Sequence, residues 1–376
     1  MTATPRNYRA VLAEVCGDVI AAEARAVDEQ GAYPAASIAA LKNAGLLGAV
    51  SSVDVGGLGI GHRGAVEIVE RLAMECGSTA MITCMHFSGT AVLEAHADES
   101  TRRAAARGDH LSTLAFSETG SRSQFWVPTS TARRDGDDVV LNAQKGWVTS
   151  ASQATAFVWS SRPSEGDGLS TLWLVPADAD GLTVEGPFDG LGLRGNDSSP
   201  VRADDVRLPL SARLGEEGHG FDVMLGTVLP LFNVLSAACS LGLMEASVQR
   251  TATHATRTRL DHADSTLADL PTIRNYLGRI RVDTDAVRCL LADTLSAMED
   301  GRPEATLRVL ECKAAAGESA TRVLDTAMRV CGGAAFRKED GIERYFRDCR
   351  AATVMGPTTD VLYDFIGKVV CGQELF

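Results

Sequence analysis

The sequence predicts an α+β protein of three units. These are an all-α N-terminal domain over residues 1–111, a β-barrel-like central domain over 112–217 and a C-terminal four-helix bundle over 218–376. Three observations carry this reading. Up to His110, apolar residues recur at three- and four-residue spacing, the period of a helix with one buried face. Short β-branched and aromatic runs, separated by Gly, Pro and Asp turn signals, then take over. From Gly218 onward long helical patterns return with short connections, the arrangement of an antiparallel bundle.

In the first unit, "YRAVLAEVCGDVIAAEARAVDEQ" places Val11, Leu12, Val15, Val19 and Ile20 on one face. "PAASIAALKNAGLLG" follows, with Gly45 and Gly48 as stop signals, and "GAVEIVERLAMECG" is a further helix. "STAMITCMHFSGTAVLEAHA" is apolar nearly all round, which predicts a helix buried on every side. "GIGHRG" satisfies G-x-G-x-x-G at Gly59, Gly61 and Gly64, but the preceding "SSVDV" is too short and polar for a buried strand. A glycine-rich surface loop is expected there instead of a nucleotide site. The segments "HLSTLAFSETG", "TSTARRDGDDVVLNAQKGWVTSA", "ATAFVWSSRP", "LSTLWLVPADADGLTVEG" and "SPVRADDVRLPL" read as about six to eight strands. Asp135-Gly136 and the stretch from Pro176 to Gly181 are turns between them. The bundle begins with "FNVLSAACSLGLMEASVQRTATHATRTR" and continues through three further long helical patterns.

Composition narrows the function classes. Hydrophobic residues make up 45% and charged residues 23%, enough apolar surface for a large core. The formal net charge of −13 argues against nucleic acid or an anionic membrane as partner. No uninterrupted run of about 18 apolar residues occurs, and "MTATPRNYRAVLAEV" lacks an apolar signal core, so a cytoplasmic protein with no membrane span is expected. Nine cysteines without a C-x-x-C pair read as buried reduced thiols; no metal site is expected.

"FSETGS", "GWVTSA", "GLRGNDSSPVRADDVRLP" and "ERYFRDCR", in this order and spacing, resemble the acyl-CoA dehydrogenase family of flavoenzymes, and the resemblance covers nearly the whole chain. It implies an enzyme that holds FAD between the β unit and the bundle. Phe116, by its main chain, and Ser117, by its hydroxyl, would face the flavin pyrimidine edge, and Ser123 would meet the diphosphate. Donors at that edge stabilise a reduced flavin, which carries negative charge. Trp147 would cover the ring and Thr149 approach its N5. Across a homodimer, or within a homotetramer, Arg257 would pair the neighbour's diphosphate, with Arg259 as rival. Gly332 and Gly333 would let the chain approach the same cofactor, although Arg329 stands where the family usually has glutamine. Thr358 and Asp360 match polar residues near the adenine-diphosphate end.

The departure from the family lies in the catalytic base. From Glu343 to Asp360 the frame aligns without gaps, and the usual glutamate falls on Gly356. Some members carry the base on the first bundle helix, where this chain has Phe232, followed by Asn233 in place of a substrate-orienting arginine. His86, on the apolar helix, is a candidate for proton transfer, against the alternative of a hydrogen-bonded core histidine; His219 is a weaker candidate. Three functions remain open: oxidoreduction of a CH–CH bond in an acyl thioester on CoA or an acyl carrier protein, with an electron-transfer partner; monooxygenation with reduced flavin from a reductase and dioxygen; and a non-catalytic flavin-binding module.

Overall fold

The computed structural model describes residues 7–121 and 124–375, so Ser123 lies outside the described residues. The first unit comprises α1 (Tyr8–Val15), α2 (Ala21–Gln30), α3 (Ala35–Asn43), α4 (Gly61–Ala73), α5 (Gly77–His96) and α6 (Glu99–Ala106). In α4 the buried Ala65, Val66, Ile68, Val69, Leu72 and Ala73 recur at helical spacing and face the core. The α5 helix is buried almost all round, as its composition predicts. The Asp98 carboxylate caps α6 by accepting from the Thr101 N–H at 2.8 Å. The G-x-G-x-x-G stretch follows a 3₁₀ turn at Val53–Val55, not a strand, and its second glycine opens α4.

The central unit is two open sheets and not a closed barrel. One has the order β1 (Ser112–Ala115), β4 (Ala156–Ser161), β5 (Thr171–Pro176), β8 (Arg213–Leu214). The other has the order β2 (Thr131–Asp135), β3 (Asp138–Val148), β7 (Ser199–Pro209), β6 (Leu182–Val184). The β1–β4 pair is parallel, a long-range pairing that strand patterning alone does not reveal. Trp159, Trp173, Leu141, Val201 and Val206 fill the space between the sheets. The opposite face of the first sheet, through Leu114, Val158 and Leu172, joins the helical core. Gly89 of α5 lies against Ser112 and Thr113, where a Cβ would collide with β1.

The C-terminal unit contains α7 (Gly220–Val223), α8 (Leu229–Arg257), a short pair β9 (Arg259–Leu260) and β10 (Ser265–Thr266), α9 (Pro271–Glu299), α10 (Ala305–Cys331), α11 (Ile342–Asp348), α12 (Ala351–Val354) and α13 (Thr359–Val370). The bundle core is formed by α8, α9, α10 and α13, and α8 also packs on α4. Gly242 permits that approach, because a Cβ there would meet the Glu70 carbonyl. The helical stretch Gly220–Arg257 is long and apolar enough to cross a membrane by length and composition, yet 72% of its most apolar window is buried within the protein. All nine cysteines are free thiols, with Cys289 and Cys371 exposed and the rest buried.

Candidate active site

A cleft of about 950 Å³ opens where the three units meet. That is near the upper end of the roughly 300–1,000 Å³ typical of small-molecule and cofactor sites. The β unit contributes Phe116, Ser117, Trp147, Thr149 and the segment Phe188–Leu193; α5 contributes Met85. The bundle contributes Val228, Leu229, Phe232, Arg347, Arg350, Met355 and Gly356.

Local structure fixes the β-unit wall. Phe116 stacks on Phe125 with centroids 6.3 Å apart, and the Ser117 carbonyl accepts from the Gly146 N–H at 2.9 Å. Beneath them Glu118 forms a fully buried ion pair with Lys145, whose ammonium also donates to the Ser160 carbonyl at 2.7 Å. Burial pushes Lys145 down to about 8. Burial alone would raise Glu118, but the facing ammonium and the hydroxyls of Ser130 and Thr129 hold it below the usual carboxylate range. This pair ties the Phe116–Gly120 segment to β3. Trp147 has φ +57° and is 75% exposed although it lines the cleft. The Thr149 and Ser198 hydroxyls share a hydrogen bond at 3.1 Å.

The bundle wall is braced from behind by Lys313 of α10. Its ammonium, 1% exposed, donates to the Met355 carbonyl at 3.0 Å and the Pro357 carbonyl at 2.6 Å, on either side of Gly356. It lies 5.8 Å from the Phe232 ring centroid. Lys313 therefore lies behind both places where a base was expected, and among the described residues it has no carboxylate partner. Burial pushes it down to about 7. A lysine on the apolar stripe Val309, Leu310, Ala316, Ala320 was a signal that sequence reasoning passed over. Asn196 and Ser198, inside a recognised motif, were missed as cleft residues for want of any periodic cue.

His86 requires a correction. It is fully buried and does not line the cleft. Its Nε2–H donates to the Leu47 carbonyl and its Nδ1 accepts from the Ser112 N–H, both at 3.1 Å. With both nitrogens committed to backbone and the imidazole pushed down to about 4 by burial, it is a neutral strut between α5, the loop at Leu47 and β1. His219 is exposed beside Asp222 and outside the cleft. Asn233 is fully buried, and neither side-chain polar atom has a partner among the described residues. Arg257, Gly332, Gly333, Thr358 and Asp360 are likewise not among the residues lining this chain's cleft. Arg257 is exposed at the end of α8, while its rival Arg259 is already paired with Asp264 at 2.8 Å.

The residues present fit a flavin. Asn196 is 3% exposed, lines the cleft, and its buried side-chain oxygen has no partner among the described residues. A buried acceptor left unpaired costs about 1–3 kcal/mol, which a ligand donor would recover. The exposed indole of Trp147 offers a planar apolar surface at the same cleft.

A helical unit, two open sheets and a helical bundle thus meet around one cleft whose lining suits a planar aromatic cofactor. The N-terminal, middle and C-terminal domains of acyl-CoA dehydrogenases match residues 2–106, 113–206 and 218–371, and the chain belongs to that family. It is 29% identical over 364 residues to the short-chain specific acyl-CoA dehydrogenase of Bos taurus mitochondria, covering 93% of this chain and 87% of the relative. The butyryl-CoA dehydrogenase structure from Megasphaera elsdenii superposes with a TM-score of 0.91 at 21% identity over 99% of both chains. The prolyl acyl carrier protein oxidase AnaB superposes at 0.88, with 18% identity over 98% of this chain and 100% of AnaB.

Proposed function

We propose that this chain is an FAD-dependent oxidoreductase acting at a CH–CH bond of an acyl thioester, carried by CoA or an acyl carrier protein, without a carboxylate of its own at positions 232 or 356. The observation that carries the reading is one cleft in which Phe116, Ser117, Trp147 and Thr149 meet Phe232, Met355 and Gly356. The relationship to a short-chain acyl-CoA dehydrogenase supports the thioester, and the fold shared with a carrier-protein oxidase is compatible with either carrier.

Bound in the cleft, FAD would supply the acceptor for a hydride from the acyl chain. Phe116 and Ser117 would hold its pyrimidine edge, Thr149 its central ring and Trp147 its face. Ser123 would meet the diphosphate, and a second subunit's Arg257, Gly332, Gly333, Thr358 and Asp360 would complete the site in a homodimer or homotetramer. Among the described residues Arg257 is exposed with no ion-pair partner while Arg259 is paired with Asp264, which favours Arg257 for that role. Met85, Val228, Leu229 and Phe232 give the acyl chain an apolar wall.

A positioned general base typically contributes about 100- to 10,000-fold. With Gly356 and Phe232 at the two expected places, the α-proton goes to solvent-derived base entering the cleft, so turnover should climb with pH without a carboxylate plateau. The test is anaerobic mixing of the purified flavoprotein with butanoyl-CoA, following flavin bleaching. Slow bleaching that accelerates with pH, and a rise of about tenfold or more in Gly356→Glu, are expected. No bleaching in either protein, with butanoyl-CoA or with succinyl-CoA, overturns the thioester reading.

The same missing side chain at Gly356 favours a second reading, monooxygenation with a reductase partner and dioxygen. Product formation only when reductase, NAD(P)H and air are supplied would select it.

A further inference from the structure

The cleft wall carries an unbalanced charge. Among the described residues, four charged ones line it: Glu118, Asp189, Arg347 and Arg350. Three are neutralised locally. Glu118 pairs with Lys145, Asp189 with Arg194 at 3.1 Å, and Arg347 with Asp28 at 2.8 Å and with Glu343 at 2.8 Å. Arg350, at the junction of α11 and α12, is half-buried. Its guanidinium lies 4.2 Å from the Phe346 ring centroid, and no hydrogen bond or carboxylate engages it among the described residues. Among the described residues the cleft lining thus holds one uncompensated cation, Arg350, and no uncompensated anion.

We propose that Arg350 receives an oxyanion of the thioester substrate, either a carboxylate on the acyl group or a phosphate of the carrier. A half-buried guanidinium stacked on an aromatic ring is pre-organised, loses little side-chain freedom on pairing, and presents a planar fork that matches a carboxylate or phosphate. A neutral acyl group would leave it partly desolvated and unpaired, which disfavours such ligands relative to anionic ones. This inference rests on the thioester reading and narrows it to a substrate class.

The test is a binding measurement. The purified flavoprotein is titrated anaerobically, by calorimetry and by flavin absorbance, with four probes: succinyl and butanoyl thioesters, each on CoA and on N-acetylcysteamine, which has no phosphate. If the acyl carboxylate is the ligand, succinyl probes bind about tenfold or more tightly than butanoyl probes on either carrier. If a carrier phosphate is the ligand, CoA probes bind that much more tightly than N-acetylcysteamine probes, whatever the acyl group. In either case Arg350→Gln abolishes the preference while Arg350→Lys keeps most of it, and unchanged flavin content in both variants shows that the fold is intact. Binding of the probes with neither preference, or a preference that Arg350→Gln leaves untouched, overturns the inference and spares the thioester reading. Binding of none of the four overturns both.

Discussion

His86 and Lys145 illustrate how a buried ionisable side chain is settled by its partners and not by its type. His86 has both nitrogens bonded to backbone, and its folded value of about 4 lies below the 6.5 of a free imidazole. The unfolded chain therefore takes up a proton that the folded one refuses. The stability His86 contributes is complete above pH 6.5 and is lost as pH falls from 6.5 toward 4. His110, also pushed down to about 4 by burial, adds to the same loss. In His86→Gln the loss should be shallower by denaturant titration between pH 7 and 4.5, while the pH profile of turnover keeps its shape; a changed profile would return His86 to the chemistry. Lys145 is the opposite case, a buried cation with an anion beside it. Glu118→Gln leaves that ammonium unpaired, and a cost of about 3–5 kcal/mol in unfolding free energy is expected.

At the scale of elements, α10 is more than a core helix. Through Lys313 it holds the loop between α12 and α13 by two carbonyls, and this loop places Met355 and Gly356 in the cleft. A neutral amine can still donate to both carbonyls, so the clamp survives deprotonation while the cost of burying charge does not. Folded Lys313 titrates near 7 and unfolded lysine at 10.5, so folding releases its proton in that interval and stability rises with pH across it. Relative to Lys313→Met, the wild type should gain stability between pH 7 and 9, measured as the difference in denaturation midpoint; a constant difference would mean the group is paired or solvated. The helices themselves were legible, because three- and four-residue periodicity is local. The lysine was overlooked because its surroundings, not its neighbours in sequence, give it meaning. That the central β unit is two open sheets was not legible for a related reason: the parallel β1–β4 pairing joins segments about forty residues apart and leaves no local mark.

Across the whole molecule, the order helical, β, helical was readable from changes of period, and most of the cleft was not. Its lining comes from stretches around residues 85, 116, 147, 190, 230 and 350, which only the fold assembles. Phe116, Ser117, Trp147 and Thr149 were found through their resemblance to a known pattern, and no periodicity in the chain would have grouped them. Because the cleft lies where all three units meet, its occupant should stabilise the molecule as one body. Flavin removal should lower the unfolding free energy, and re-adding FAD at about 100 times its dissociation constant should restore about 2.7 kcal/mol. The four tryptophans divide sharply in environment, with Trp126 at 8%, Trp159 and Trp173 at 0% and Trp147 at 75% exposure. Emission from this protein should accordingly split into blue-shifted light from three sealed indoles and a red-edge component from Trp147 alone, giving an intrinsic optical gauge of cleft occupancy that needs no label and no turnover.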